Sequence, residues 1–489
     1  MQSTRSLQRA RRNAPRRAPT HAPSRPTSKL KARVWPLALG LFFLLLFLMG
    51  GSARGDVPFL AGLRIVSLVV IAACIWFMDL EQWRRVRLPV TLLLAYLALA
   101  LLHLVPLPPG LWLALPHDPL VNEIAKGAGL TAYWRPLTIS APDTLNAALA
   151  TFPVLALVLL AGMQPKGATP AIPLVLGVAM ASILLGLMQV SGSPNSPLYI
   201  YRYFNGGYPI GFFANRNHQA VFLAACLPMA AAFALQPEGR FSATVRAVLA
   251  AVAGVAILGT IATLGSRAGV LTALIGLAIA GAMLWRFGEV PVRLRNRKVL
   301  LGGLAGAIAL LALLTVGLLR SETAERLTDN GEMTSELRVQ LLDPLIGLTG
   351  EYFPFGSGIG SFVQTYRAAE PDALLRPGYV NHAHNDWLEW ALTGGVPLVL
   401  LVLFAAFAIV RVAPAIIRER HLSERVLRAQ CGLAFCAILV IASLFDYPLR
   451  TPALAGLFAL AAIWLNDFVL RGQRPAAQRY PNKGSGQNV

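Results

Sequence analysis

Apolar runs of about twenty residues, the length that a helix needs to cross a bilayer, recur along most of this chain. They cover residues 35–51, 58–80, 88–107, 144–163, 171–192, 218–236, 245–264, 268–285, 299–319, 387–410, 426–444 and 452–470. Only 13% of the 489 residues are charged, whereas roughly a quarter are charged in a soluble protein. Because a helix satisfies its own backbone hydrogen bonds inside lipid, the sequence predicts an all-α polytopic membrane protein with about 12 transmembrane helices.

The first 34 residues differ from the rest of the chain. They contain ten Lys or Arg residues and no acidic residue, mixed with Pro, Ser and Thr. Such a segment cannot bury a core, so residues 1–34 are predicted to form a disordered basic cytoplasmic tail. Despite the net charge of +20, we expect this tail to contact anionic membrane lipids and no nucleic acid. The apolar run after it is predicted to be a retained first span and not a cleaved signal peptide.

Basic residues are concentrated in every second loop. These loops hold Arg84, Arg85, Arg87, Lys166, Arg240, Arg246, Arg293, Arg295, Arg297, Lys298, Arg411, Arg418, Arg420, Arg425 and Arg428. By the positive-inside rule they are cytoplasmic, and an even number of spans places both termini, including a second tail at 471–489, on the same side. The sequence therefore predicts one transmembrane domain over residues 35–470, with a long, partly helical outer loop over residues 320–386.

A polar, histidine-bearing segment, N-H-A-H-N-D-W-L-E-W, closes this outer loop at residues 381–390. Placing a titratable group at a membrane boundary is energetically unfavourable, so such a group indicates a functional site. His384 suits the role of a proton acceptor near neutral pH. The spacing of His382 and His384 does not match a metal pair on a helix, so no metal is expected. Asn385 can either cap the following helix or orient the imidazole, and Asp386 and Glu389 can do the same or simply mark the interface.

Two further polar groups lie on the predicted outer side. The first opens the sixth span with Asn215, Arg216, Asn217 and His218. These residues can present hydrogen-bond donors to an anion at a helix N-terminus, or they can simply cap that helix. The second is Arg267, whose forked guanidinium suits a phosphate or pyrophosphate, although an arginine here can also snorkel to the interface. Tyr203 belongs to an aromatic group that can stack on sugar rings or form an interfacial belt.

Inside the outer loop, Leu337, Leu341 and Leu345 recur at helical spacing. A helix is therefore predicted from about Ser335, with Arg338 on another face. This helix can lie along the membrane surface with its apolar stripe in lipid. The chain contains no G-x-x-x-x-G-K-[ST] nucleotide-binding loop. An enzyme acting on the outer side must therefore use a substrate that is already activated. The four cysteines lie in apolar runs and are interpreted as buried side chains without a disulfide or a metal.

Several motifs occur in a fixed order between residues 130 and 470. They are G-x-F-x-N-x-N-H-x-A at 211–220, S-R-A at 266–268, Arg338 followed by P-x-G-x-G-x-G-x-F at 354–362, and H-N-x-x-L-E at 384–389 with Gly395. The segments P-L-T-I-S at 136–140 and D-Y-P-L-R-T-P at 446–452 accompany them. In this combination the chain resembles the O-antigen ligase and polymerase superfamily of bacterial envelope glycosyltransferases.

The resemblance implies a metal-independent glycosyltransferase without a cofactor, located in the bacterial inner (cytoplasmic) membrane with its active site facing the periplasm. Its donor is expected to be a glycan on undecaprenyl diphosphate. Carried over by position, Arg267 and Arg338 hold the diphosphate, and His384 deprotonates the acceptor hydroxyl. The expected substrate-binding residues are Asn215, Arg216, Asn217, His218, Asn385, Arg450 and Tyr203.

Three functions stay open at this point. The first is ligation of the glycan to lipid A-core, and the second is a polymerase that adds repeat units to a growing polysaccharide. The third and more distant function is a polysaccharide transporter or flippase, in which the arginines bind substrate without catalysing a reaction. Many transporters show a repeat between their two halves, and this chain shows no such repeat.

Overall fold

The structure, a computed structural model, describes residues 26–116, 119–164, 171–192, 196–237, 241–288, 339–375 and 378–472. In these ranges the chain is mostly helical. The helices are α1 Pro26–Met49, α2 Phe59–Phe77, α3 Leu80–His103, α4 Pro109–Ala114, α5 Pro119–Gly127, α6 Ala141–Leu149, α7 Thr151–Gly162, α8 Ala171–Ser191, α9 Arg216–Leu235, α10 Ala243–Thr263, α11 Arg267–Phe287, α12 Leu342–Glu351, α13 Phe362–Ala368, α14 Asp386–Arg418, α15 Glu424–Ala442 and α16 Pro452–Gly472. Two short strands, β1 Pro106–Leu107 and β2 Arg135–Pro136, pair antiparallel.

Ten stretches in the described part of the chain are long and apolar enough to cross a membrane, and α6 and α7 together form one of them. A shorter apolar stretch, Arg33–Met49, lies in α1 and matches the first predicted run. The run predicted at 299–319 lies outside the described residues. The protein is therefore a multi-pass, helical membrane protein, while the number of twelve spans stays a prediction.

Helix α1 begins at Pro26, inside the segment that was expected to be disordered up to residue 34. A proline is tolerated in the first turn of a helix, and the Lys, Leu, Ala and Arg residues that follow have good helix propensity. The helix therefore includes residues 26–34 of the predicted tail, while the domain boundary itself stays a prediction. Residues 1–25 and 473–489 lie outside the described ranges, so the two cytoplasmic tails stay predictions there.

Helix α9 is the central helix of the bundle, because 83% of its apolar window is buried. It packs against α8, α10, α11 and α15. Its closest neighbour is α11, where Gly269 and Gly276 face Ala220 and the backbone at Ala224. Small residues of this kind let two membrane helices approach closely.

The loops segregate to two ends of the bundle. At one end, Gly51 donates a backbone hydrogen bond to the hydroxyl of Tyr201 (2.7 Å) and Ala453 donates one to the carbonyl of Gly50 (3.0 Å). At the other end, Arg85 pairs with Asp467 (3.0 Å) and Arg286 donates to the carbonyl of Glu419 (2.8 Å). The loops that were predicted to be cytoplasmic thus contact one another, as do the loops predicted to lie outside.

The described part of the outer loop folds against the protein. Leu341 and Leu345 are fully buried in a cluster with Tyr352 and Phe362. At Leu341 and Leu345 the stripe therefore faces protein and not lipid, because aromatic side chains of the same loop cover it. Helix α12 begins at Leu342, and residues 335–338, including Arg338, lie outside the described chain.

Candidate active site

His384 has an unusual backbone conformation. Its φ of 51° is the one positive value found at a non-glycine residue in the described ranges. A left-handed conformation at such a residue is unfavourable by roughly 1–3 kcal/mol, and it clusters at functional sites. The next residue, Asn385, caps α14 by accepting the backbone N–H of Leu388 (3.1 Å). The cap and the turn before it therefore fix where the imidazole of His384 lies.

A buried carboxylate from a distant segment meets this imidazole. Asp446 follows α15 and is 1% exposed, and its Oδ1 lies 3.5 Å from Nδ1 of His384. The other carboxylate oxygen accepts a hydrogen bond from Nδ2 of Asn217 (2.6 Å). Ser266 in turn donates to Oδ1 of Asn217 (2.7 Å). A polar chain thus connects the start of α11, the start of α9, the α15–α16 loop and His384.

Three histidines surround the ring of Tyr447. The ring centroids of His218, His382 and His384 lie 5.1, 4.3 and 5.1 Å from that of Tyr447. His218 is 1% exposed, and its Nε2 lies 4.0 Å from Oδ1 of Asp446. The carboxylate of Asp446 therefore faces two imidazoles.

His382 belongs to a second buried cluster. Its Nδ1 lies 3.0 Å from Oε1 of Glu389, which also contacts Arg450 at 3.4 Å. Arg450 donates from Nε to Asp386 (3.1 Å), and Asp386 accepts from the hydroxyl of Ser443 (3.0 Å). Burial lowers the pKa of Arg450, but the nearby carboxylates of Glu389 and Asp386 raise it by more, so its pKa lies above the usual value. This charge cluster ties the start of α14 to the loop that carries Asp446.

A cleft of about 600 Å³ opens beside the second cluster. Four arginines line it, namely Arg54, Arg64, Arg367 and Arg450, together with His382 and Glu389. Arg54 forms an ion pair with Asp56 at 2.8 Å, and this hydrogen-bonded contact raises the pKa of Arg54 and lowers that of Asp56. A smaller neighbouring cavity of about 230 Å³ shares Arg54 and reaches His218 and Tyr447.

The structure brings most of the predicted site residues to the end of the bundle where the two clusters and the two cavities lie. His384, Asn217, His218 and Arg450 belong to the two clusters described above. Asn215 and Asn385 are helix caps, which is one of the two roles that the sequence allowed for each of them. Asn215 accepts the N–H of Asn217 (2.8 Å).

The other predicted residues lie at the rim. Arg216 stacks over Tyr208 (4.7 Å), and Arg54 stacks over Tyr203 (4.2 Å) in the wall of the smaller cavity. Arg267 is exposed at the first position of α11, next to Ser266, and it lines neither cavity. Arg338 lies outside the described residues.

Sequence reasoning missed several charged residues of the site. The motif that contains Asp446 does not assign this residue to a histidine, and the sequence does not predict that the partner of Glu389 is His382. Arg64 lies inside an apolar run, and an ionisable residue within a span is itself a functional signal. In the described ranges, no group of three or more His, Cys, Asp or Glu side chains is arranged to hold a metal ion.

One known protein family matches part of this chain. The family model described as O-antigen ligase matches residues 252–403. This segment of the chain is similar to O-antigen ligases. The matched segment contains Arg267, Arg338 and His384, and so it covers three of the residues that the sequence motifs had singled out. A comparison with curated proteins gives no significant match. The match supports a function of the O-antigen ligase or polymerase type.

Proposed function

We propose that this protein transfers a glycan from undecaprenyl diphosphate to the hydroxyl group of an acceptor, lipid A-core, at the periplasmic face of the inner membrane. The observation that carries the proposal is the contact between His384 and the buried Asp446. A histidine held in a strained backbone conformation against a carboxylate suits a general base, because the carboxylate stabilises the imidazolium that forms.

The reaction needs one proton acceptor and one stabilised leaving group. In the proposed step, His384 takes the proton of the acceptor hydroxyl, and the oxygen attacks the anomeric carbon of the donor sugar. The bond from that carbon to the diphosphate oxygen breaks, and undecaprenyl diphosphate leaves with the electron pair. With Nδ1 of His384 turned to Asp446, Nε2 is the nitrogen that accepts the proton.

The departing diphosphate carries negative charge that cations must stabilise. We assign this role to Arg267 and Arg338, as the motif positions imply. The neighbour of Arg267, Ser266, is hydrogen-bonded through Asn217 to Asp446, which supports a position of Arg267 beside the same site. A lysine lacks the bidentate fork of arginine, so Arg267→Lys and Arg338→Lys are expected to lose most of the transfer activity. Full activity of both lysine variants at normal expression would place diphosphate binding elsewhere.

Glycan analysis of a deletion strain separates the ligase from the polymerase. Loss of a ligase leaves lipid A-core without polymer while full-length polymer accumulates on the lipid carrier. Loss of a polymerase leaves lipid A-core that carries a single repeat unit. We expect lipid A-core without polymer. Lipid A-core with a single repeat unit would mean that the acceptor is a growing polysaccharide and not lipid A-core.

Reconstitution of the purified protein separates transfer from transport. We expect liposomes that contain the protein, the lipid-linked donor and lipid A-core to form the glycosylated product without added nucleotide or metal. Movement of the donor across the bilayer without any product would favour the flippase.

A further inference from the structure

We propose that Arg64 and Arg367 form a subsite in the large cleft that binds an anionic group, a phosphate or a carboxylate, of the acceptor saccharide. The inference rests on the proposed function, since it assigns the acceptor to one part of that site. It extends the site to two arginines that the resemblance and the motifs do not single out.

The charges in the cleft wall are unevenly compensated. Arg54 is paired with Asp56, and Arg450 is paired with Asp386 and Glu389. Asp143, a further carboxylate of the cleft, accepts a hydrogen bond from the hydroxyl of Ser140 (2.7 Å). Neither Arg64 nor Arg367 forms an ion pair with a carboxylate in the described part of the chain. Two of the four cationic side chains in the wall thus lack a counter-charge from the described protein.

Arg64 is held firmly in place without being neutralised. It lies in the second turn of α2, and its Nη2 donates to the backbone carbonyl (3.3 Å) and the side-chain carbonyl of Asn146. Both partners are neutral, so they orient the guanidinium and leave its charge uncompensated. A charged side chain inside a span is unfavourable, and where it occurs it faces a partner or a water-filled cavity. The cleft is the cavity that Arg64 faces.

Arg367 approaches the same cleft from the outer loop. It lies in the last turn of α13, and its guanidinium stacks on the ring of Tyr379 at 5.1 Å. Arg54 also lies over that ring, at 5.3 Å. Stacking on an aromatic ring restricts an arginine and leaves its N–H groups available for an oxygen-bearing ligand.

The position of the cleft favours the acceptor over the donor. The segment Asp446–Tyr447 lies between the surroundings of Arg267 and the cleft. On one side, Asp446 contacts Asn217, which is hydrogen-bonded to Ser266 next to Arg267. On the other side, Tyr447 contacts His382, which lines the cleft together with Glu389 and Arg450. If the donor diphosphate lies near Arg267, the acceptor reaches His384 from the cleft side. Phosphate and carboxylate oxygens are the groups that two forked guanidinium ions bind best.

Equilibrium binding to the full-length protein in lipid nanodiscs tests this inference without relying on turnover. The probes are lipid A-core glycolipid and undecaprenyl diphosphate, titrated separately. For Arg64→Gln and Arg367→Gln, we expect the Kd for lipid A-core to rise about tenfold, as for the loss of one charged hydrogen bond. The Kd for undecaprenyl diphosphate should stay within about twofold. Arg64→Lys, which keeps the charge, should recover part of the loss.

Arg84→Gln is the matched control, because Arg84 is an exposed arginine at the opposite end of the bundle. It should bind both probes as the wild type does. Arg367 is exposed, so its variant should fold even if Arg64→Gln does not. Unchanged binding of lipid A-core by Arg367→Gln would overturn the inference, and so would a wild type that does not bind this glycolipid. A selective loss of undecaprenyl diphosphate binding would assign the cleft to the donor instead. A wild type that shows the expected binding but forms no product would contradict the proposed function alone.

Discussion

At His384 the side chain and the backbone can be tested separately. Glycine adopts a φ of 51° without strain, whereas alanine does not. We therefore expect His384→Gly to unfold at a temperature equal to or above that of His384→Ala. Both variants should lose transfer activity by about 10²–10⁴-fold, the usual effect of removing a general base, with little change in substrate binding. Steady-state kinetics and thermal unfolding of the purified variants measure the two effects.

His382 is the internal comparison for this prediction. It contacts Glu389 and Tyr447 and faces the second cluster, so His382→Ala should reduce activity much less than His384→Ala. If His382→Ala is inactive and His384→Ala is active, the general base is His382.

Asp446 is predicted to position and stabilise the imidazole of His384. Asp446→Asn keeps the size of the side chain and removes the charge, so we expect kcat to fall about 10- to 100-fold, as for the loss of one charged contact. The KM values should change little, because Asp446 does not line the cleft. Asp372→Asn, at an exposed carboxylate of the outer loop, serves as the control. A kcat equal to that of the wild type would remove Asp446 from the mechanism.

The individual residues of the site were only partly predictable from the sequence. His384 can be recognised in the sequence because it is a titratable group next to a span. This signal depends only on neighbouring residues. Its partner Asp446 lies 62 positions later, and no local pattern reports which loops meet in space. A signal was nevertheless present, since Asp446 and Arg450 are the charges between two apolar runs. Asp446 meets His384, and Arg450 meets Asp386 and Glu389, only after the helices have packed together. The sequence alone therefore does not show these pairs.

At the scale of elements, the junction inside α14 positions the site. The helix is interrupted at Gly395, where φ is 59°. Val396 donates to the carbonyl of Pro354 (2.8 Å), and a Cβ atom at Gly395 would collide with that carbonyl. The glycine-rich turn of the outer loop can therefore lie directly against the first turns of α14, which carry Asp386 and Glu389.

Gly395→Ala is expected to destabilise the protein by at least about 1–2 kcal/mol, because alanine is strained at positive φ and meets the loop backbone. Activity should fall with it, since the start of α14 shifts. Gly281→Ala in α11 is the matched control, because a Cβ atom there meets nothing within 4 Å. Thermal unfolding of the two variants in the same detergent measures the difference. Equal unfolding temperatures would contradict a role for Gly395 in holding this junction.

The helices themselves were the most predictable elements, because an apolar run of about twenty residues has few alternatives in a membrane protein. Ten of the predicted runs coincide with helices that are long enough to span. The outer loop was less predictable. Its Leu341 and Leu345 have a helical period, but the period alone does not say whether lipid or protein covers the stripe, and here Tyr352 and Phe362 cover it.

For the whole molecule, the decisive property is its orientation in the membrane. The basic loops contact one another at one end, where Arg85 meets Asp467 and Arg286 meets Glu419, and the candidate site lies at the other end. Because positive residues are retained on the cytoplasmic side, the site is predicted to face the periplasm. A reporter fused after Ala369 should then behave as extracytoplasmic, and one fused after Glu289 as cytoplasmic. The reverse pattern would place His384 on the side where nucleotide-activated sugars are available, and the requirement for a lipid-linked donor would no longer follow.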